Sequence, residues 1–204
     1  MSAILPRDAF SPNIKFRLDF SAPFFDSIAQ LPTQAAPIPV HLGSMAFAME
    51  EIVEDISWQK GDMLVLNDPF KGGTHLPDVT IIAPCFAHKS IQESIRNDAE
   101  KLIGFVVNRA HHANIGSEVP GSMPLSRSII DEGVLIEPSF IVKGGELDKS
   151  VLAYITGCVD TDLTGDFAAQ MSANRTGVSR LTSLYETTGS ENFDAAIVGT
   201  NLYG

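Results

Sequence analysis

Cysteine is nearly absent from this sequence, with two among 204 residues, Cys85 and Cys158. They stand far apart, so there is no CxxC metal or redox site, and a reduced, cytoplasmic setting fits best. No base can be assigned to either thiol from spacing, and both read as buried and inert. Positive charge is also scarce. Fourteen Lys and Arg face 25 Asp and Glu, a formal net charge of -11. Phosphate backbones and anionic bilayers repel such a chain, so nucleic acid and membrane are not expected partners. A small anionic substrate stays open, because it feels the local field of a metal more than the global charge.

Long apolar runs are missing too. No segment approaches the ~20 apolar residues that cross a bilayer. The start, Met-Ser-Ala-Ile-Leu-Pro-Arg-Asp, lacks the charged and apolar regions of a signal peptide. Neither GxxxxGK[ST] nor GxGxxG occurs, so nucleotide binding by this chain has no support in the sequence. No internal repeat is visible.

What is present is a foldable composition, 44% hydrophobic and 19% charged, with 12 Pro and 16 Gly to make turns. The length suits one domain, residues 1–204. Phe16–Phe20 alternates apolar and polar residues and reads as a short strand, which Ala22–Phe25 continues or follows. Leu31–Val40 is rich in Pro and Ala and reads as loop. Ser44–Ile56 reads as a helix with Ser44 as N-cap. Met63–Leu66, Val79–Pro84 and Leu102–Val107 are buried strands by their apolar runs. Asn67–Pro77 and Asn108–Pro124 are loops, heavy in Gly, Pro, Asn and Ser. Phe86–Lys101 is a polar excursion. Val134–Val142 carries a weak strand before a turn at Gly144-Gly145. Asp162–Tyr185 is the best long helix, despite Gly177, which costs about 1 kcal/mol relative to Ala. Gly189 is its stop. The fold class is α+β, a mixed, strand-rich single domain with a few helices and active-site loops following adjacent strands.

The chemistry gathers in those loops. There are five histidines. Three of them, His75, His111 and His112, fall in the two Gly- and Pro-rich loops bracketed by apolar strands, the usual placement of a site. His75 and Asp78 are three apart with Pro77 between, so no helix aligns them. In an extended or turned chain the pair can still converge on one ion, and imidazole with carboxylate suits Zn, Mn or Fe. His111 or His112 would supply a third ligand. Neighbours on extended chain point opposite ways, so one of them binds and the other lines the pocket or packs. The alternative is a histidine capping a turn while Asp78 bonds loop amides. His88 reads as solvated. His41, just before a helix, fits either role.

Three long stretches resemble the hydantoinase B family, which includes the C-terminal half of 5-oxoprolinase and the α subunit of acetone carboxylase. They are AFSPNIKFRLDFS (9–21), IPVHLGSM with GDMLVLNDPFKGGTHLPDVT (38–45 and 61–80), and GFVVNRAHHANIGSEVPGSMP (104–124). The resemblance implies a divalent-metal centre with Asp19, His75, Asp78 and His111 as ligands. It implies that Asp68, Arg109 and His112, candidates for catalytic roles, surround the metal or shape the loops with Asn67 and Asn108. It further implies an ATP-binding, hydantoinase A-type partner that phosphorylates an amide or carbonyl oxygen, after which the metal component opens a lactam or hydantoin ring. ATP use then lies with the partner. Ketone carboxylation at the same site is the second reading. Family members are longer, and this chain corresponds to their N-terminal part, so a non-catalytic binding or assembly module is the third. Apolar surface left uncovered would favour a homo-oligomer. The excursion at Phe86–Lys101 is longer than the turn usual in the family.

Overall fold

A computed structural model describes residues 1–35, 41–87, 100–117, 119, 125–159 and 162–203. Seven strands form one antiparallel sheet in the order β2-β1-β5-β4-β3-β6-β7. They are β1 (Phe20–Phe25), β2 (Thr33–Ala35), β3 (Met63–Leu66), β4 (Asp78–Ala87), β5 (Lys101–His111), β6 (Ser139–Lys143) and β7 (Glu146–Leu147). Among the described residues the helices are α1 (Leu5–Asp8), α2 (Pro12–Lys15), α3 (His41–Asp55), α4 (Lys149–Gly157), α5 (Thr164–Thr188) and α6 (Ser190–Tyr203). The α+β class read from the sequence is the one observed.

The sheet is covered on both faces, which is why its central strands read as continuous apolar runs rather than alternating ones. Along β3 the side chains nevertheless divide by parity. Leu64 and Leu66 pack with Ile82, Phe105 and Val107 against Met45 and Met49 of α3. Met63 and Val65 pack with Val79 and Ile81 against Phe167 and Met171 of α5. Gly177 of α5 lies where a Cβ would come 2.7 Å from Val106 Cγ1 and 2.5 Å from Met1 Sδ. The glycine that weakens the helix therefore permits its close seat on the sheet.

Several boundaries differ from expectation. Phe16–Phe20 is not a strand. Pro12 starts the short α2, and Phe16 and Leu18 are exposed, so the alternation there has no buried face. The strand begins at Phe20 and its six residues are all buried. Part of the expected Leu31–Val40 loop is β2, which pairs with β1, and residues 36–40 lie outside the described set. Helix α3 begins at His41, so Ser44 is not its N-cap. The Ser44 hydroxyl instead accepts from Arg109 Nη1 at 2.8 Å. The expected loop Asn108–Pro124 is strand through His111, and its residues 118 and 120–124 lie outside the described set. The β4 strand extends through Ala87. At its other end Lys101 already belongs to β5, and residues 88–99 of the expected excursion, including His88, lie outside that set. Gly189 caps α5 at φ 79, as expected. Cys85 is buried, but Cys158 is exposed, contrary to expectation. Among the described residues, no helix is long and apolar enough to cross a membrane.

Candidate metal centre

Asp78 opens β4 and His111 closes β5, and the antiparallel register makes them Cα partners. The next same-facing pair, Thr80 and Arg109, is also in register, and Ser21 of β1 lies opposite Arg109. Side chains two apart on a strand share a face. Asp78, Thr80, Arg109, His111 and Ser21 thus form one polar corner of the sheet, on the face covered by the first turn of α3. That turn contributes His41 and Ser44.

The geometry at the end of the sheet is compact. His111 Nδ1 lies 3.1 Å from Asp78 Oδ1. His75 Nε2 lies 3.3 Å from the same oxygen. The two ring nitrogens are 3.1 Å apart, with their rings nearly perpendicular at 87°. Asp19 Oδ2 is 3.9 Å from His111 Nδ1. On the other side of Asp78, Oδ2 lies 3.3 Å from His41 Nε2 and accepts from the Thr74 hydroxyl. Asp78, His111 and His41 are buried, whereas the His75 side chain is 43% exposed. The cluster is open to solvent through His75.

Two nitrogens and one carboxylate oxygen form a nearly equilateral triangle of 3.1–3.3 Å edges. A tetrahedral ion with bonds of about 2.0–2.1 Å sets its donors about 3.3–3.4 Å apart, and an octahedral one about 2.9–3.0 Å. The observed edges lie between these two spacings, and imidazole with carboxylate is a donor set that could hold a divalent first-row ion.

The electrostatics centre on Asp78. Burial pushes its carboxyl upward, but hydrogen bonds from His111, His41 and His75 outweigh that and hold it well below the usual carboxylate range. The same hydrogen bond raises His75, against the opposing effect of its partial burial. Arg109 is fully buried behind the cluster, and burial lowers its guanidinium to about 10 even though the Asp78 charge opposes the shift.

The loop carrying His75 is tied down from three sides. Asn67 Nδ2 donates to Leu76 O at 2.8 Å and Val134 O at 2.9 Å, while its Oδ1 accepts from Ile136 N at 2.7 Å. The Asp68 carboxylate accepts from Phe70 N at 2.8 Å and caps the 3-10 turn Pro69–Lys71. Arg109 Nη2 donates to Gly72 O at 2.7 Å and Nε donates to Thr80 Oγ1 at 2.8 Å. Gly72 has φ 90, and a Cβ there would stand 2.0 Å from Ala48 Cβ of α3, so only glycine lets loop and helix approach.

The structure brings Asp19, His75, Asp78 and His111 together and adds His41, which the sequence leaves open. His41 is hard to read because it faces Asp78 across a separation of 37 positions. Arg109 touches the loop rather than the triangle, and Asp68 serves its own turn. His112 points to the opposite face of the sheet, as neighbours on a strand do. It is fully buried against Phe167, with ring centroids 4.8 Å apart, and its Nε2 meets Gln170 Oε1 at 2.9 Å. Burial lowers its pKa, with Gln170 opposing. Gln170 Nε2 donates to Asn108 Oδ1 at 2.7 Å and to Val79 O at 2.9 Å. Asn108 Nδ2 donates to Asn174 Oδ1 at 2.8 Å. This amide ladder fastens α5 to the two strands that carry the cluster.

The chain matches the Hydantoinase B/oxoprolinase family over residues 1–203, and it belongs to that family. It is 39% identical to an uncharacterized Methanocaldococcus jannaschii protein, MJ0963, over 93% of this chain and 33% of that protein. It is 36% identical to the 5-oxoprolinase of Dictyostelium discoideum, over 90% of this chain and 14% of that protein. Its fold is similar to the crystal structure of an ATP-dependent caprolactamase from Pseudomonas jessenii. That likeness has a TM-score of 0.78 at 27% identity, covering 89% of this chain and 30% of the other. The chain thus spans a third or less of the length of each of these proteins.

Proposed function

We propose that this chain carries the metal-dependent step of an ATP-dependent cyclic-amide hydrolase, acting on 5-oxoproline, a hydantoin or a related lactam. The observation that carries the reading is the convergence of His75 Nε2, Asp78 Oδ1 and His111 Nδ1 on one point at 3.1–3.3 Å. Two relatives named above, a 5-oxoprolinase and a caprolactamase, take lactams as their names state. Asp19 approaches from the mouth of the cluster and would complete the ligand set.

A bound Zn, Mn or Fe ion would polarise an amide carbonyl and lower the pKa of water toward ~7. The residues of the chain do the rest. Asp78 stays ionised and supplies the negative charge that an ion requires. Arg109 fixes the approach of the 67–77 loop to α3, which sets where His75 stands. His75, the half-exposed member, borders the solvent side from which a substrate would arrive. Neither GxxxxGK[ST] nor GxGxxG occurs in the sequence, and this reading assigns ATP-dependent activation to a hydantoinase A-type partner.

Elemental analysis of the purified chain tests the metal. About one equivalent of divalent ion is expected, and no ion together with unchanged thermal stability on adding Zn or Mn would overturn the reading. Ring opening of 5-oxoproline or hydantoin is expected only with ATP and an added hydantoinase A-type protein. Turnover by this chain with ATP alone would contradict the division of labour.

A further inference from the structure

Asp78 divides its two oxygens between two environments. Oδ1 faces His75 and His111. Oδ2 turns inward, 3.3 Å from His41 Nε2 and in a hydrogen bond with the Thr74 hydroxyl. An ionised carboxylate can only accept, so on this line the proton sits on His41 Nε2 and the imidazole donates. The other ring nitrogen, Nδ1, lies within hydrogen-bond distance of the Ser21 hydroxyl, at 2.9 Å. Ser21, His41 and Asp78 are 0%, 1% and 2% exposed. A buried chain of hydrogen bonds thus runs from β1, through the first residue of α3, to the first residue of β4.

We propose that His41 is a positioning residue for Asp78. It anchors Oδ2 so that Oδ1 alone is presented toward the ion, with Ser21 fixing the imidazole plane. The inference rests on the metal reading above and concerns a residue outside the converging triangle. Its physical basis is that a carboxylate held by one oxygen loses rotational freedom about its Cβ–Cγ bond before an ion arrives. Outer partners of this kind typically change metal affinity 10–100-fold. The competing role is direct ligation, because Asp19, His41 and Asp78 also place donor atoms within 4.8 Å of one another. Two features argue against it. His41 has protein partners on both ring nitrogens, and Asp78 Oδ2 already accepts from both His41 and Thr74.

The test uses the full chain with Co2+ alone as probe, reading affinity by calorimetry, stoichiometry by elemental analysis and the ligand set by the visible d–d spectrum. His41→Ala is expected to weaken Co2+ binding by about 10–100-fold while keeping one ion per chain and the wild-type spectrum. His41→Gln, whose terminal amide restores a donor toward Asp78 Oδ2, should recover most of that loss. Ser21→Ala should weaken binding less, in the same direction. If His41→Ala does not fold, the near-isosteric His41→Gln and Ser21→Ala carry the comparison. In that case a Ser21→Ala affinity equal to wild type overturns the proposal. Affinity of His41→Ala within twofold of wild type overturns it directly. A changed spectrum, or two ions in wild type and one in the variant, makes His41 a ligand and overturns it as well. A wild-type chain that binds no Co2+ removes the metal reading itself, an outcome distinct from all of these.

Discussion

Asp78 and His111 stand directly opposite each other across the β4–β5 ladder, and their side chains meet at 3.1 Å. Backbone pairing therefore sets the spacing of the two buried members of the triangle, and only His75 depends on a loop. Asp78→Asn is expected to abolish stoichiometric binding of Zn or Mn. It also leaves three histidines and Arg109 without their shared anion. Removing one partner of a buried charged cluster costs about 3–5 kcal/mol, which urea unfolding would register. A variant that keeps both ion and stability would refute the central place given to Asp78.

The ladder joining α5 to the sheet makes a contrasting prediction. Gln170→Leu strips partners from Asn108 Oδ1, Val79 O and His112 Nε2, all inside the core. Buried groups left unsatisfied cost about 1–3 kcal/mol each, and the total here should be roughly 2–4 kcal/mol after partial relaxation. Metal stoichiometry in the remaining folded protein should stay at the wild-type value. Loss of the ion without loss of stability would assign the ladder a different role.

Two glycines with positive φ separate backbone strain from crowding. Gly144 has φ 56, and a Cβ added there would meet no heavy atom within 4 Å, while Gly72 has φ 90 and meets Ala48. Gly144→Ala should cost about 1 kcal/mol, from the left-handed backbone alone. Gly72→Ala should cost about 2 kcal/mol or more, and should also weaken metal binding by shifting the loop that carries His75. Thermal melts and Zn titration of the pair distinguish the two cases. Equal losses would mean that the contact of the loop with α3 carries no weight.

The two thiols should behave oppositely. Burial pushes Cys85 up to about 12 from an ordinary 9.0, with a backbone hydrogen bond from Val106 opposing. Cys158 is exposed. A thiol reagent at neutral pH should modify one site in the native chain and two after unfolding. Because the folded pKa of Cys85 exceeds the unfolded one, its contribution to stability is complete below about pH 9 and is lost as pH rises toward 12. A Cys85→Ala chain should lose that part of the alkaline slope. Native modification of both thiols would contradict the burial.

Much of the fold is legible in the sequence because burial writes itself into apolar runs. Met63–Leu66 reads with its observed bounds, and Val79–Pro84 and Leu102–Val107 mark the cores of β4 and β5. The misreadings have two physical origins. Polar residues on the last turns of buried strands look like loop. Asn108, Arg109 and His111 are all buried, but their partners lie on α5, on α3 and on β4, far away in the sequence. Phe16 and Leu18 mislead in the opposite sense, being apolar yet exposed. For the candidate site, the opposite facing of His111 and His112 follows from strand geometry. Asp19 comes only from family resemblance, and His41 cannot be assigned until α3 is seen to begin there.

The antiparallel pairing that brings Asp78 to His111 also decides where the chain can vary. The same ladder runs through nine further pairs to Ala87 and Lys101. At about 3.3 Å per residue, that far end of the ladder lies roughly 30 Å from the Asp78–His111 pair. A change made at Ala87 or Lys101 acts on the end of the sheet opposite the cluster. The far end is a natural address for a fluorophore, with the Asp78–His111 corner left untouched.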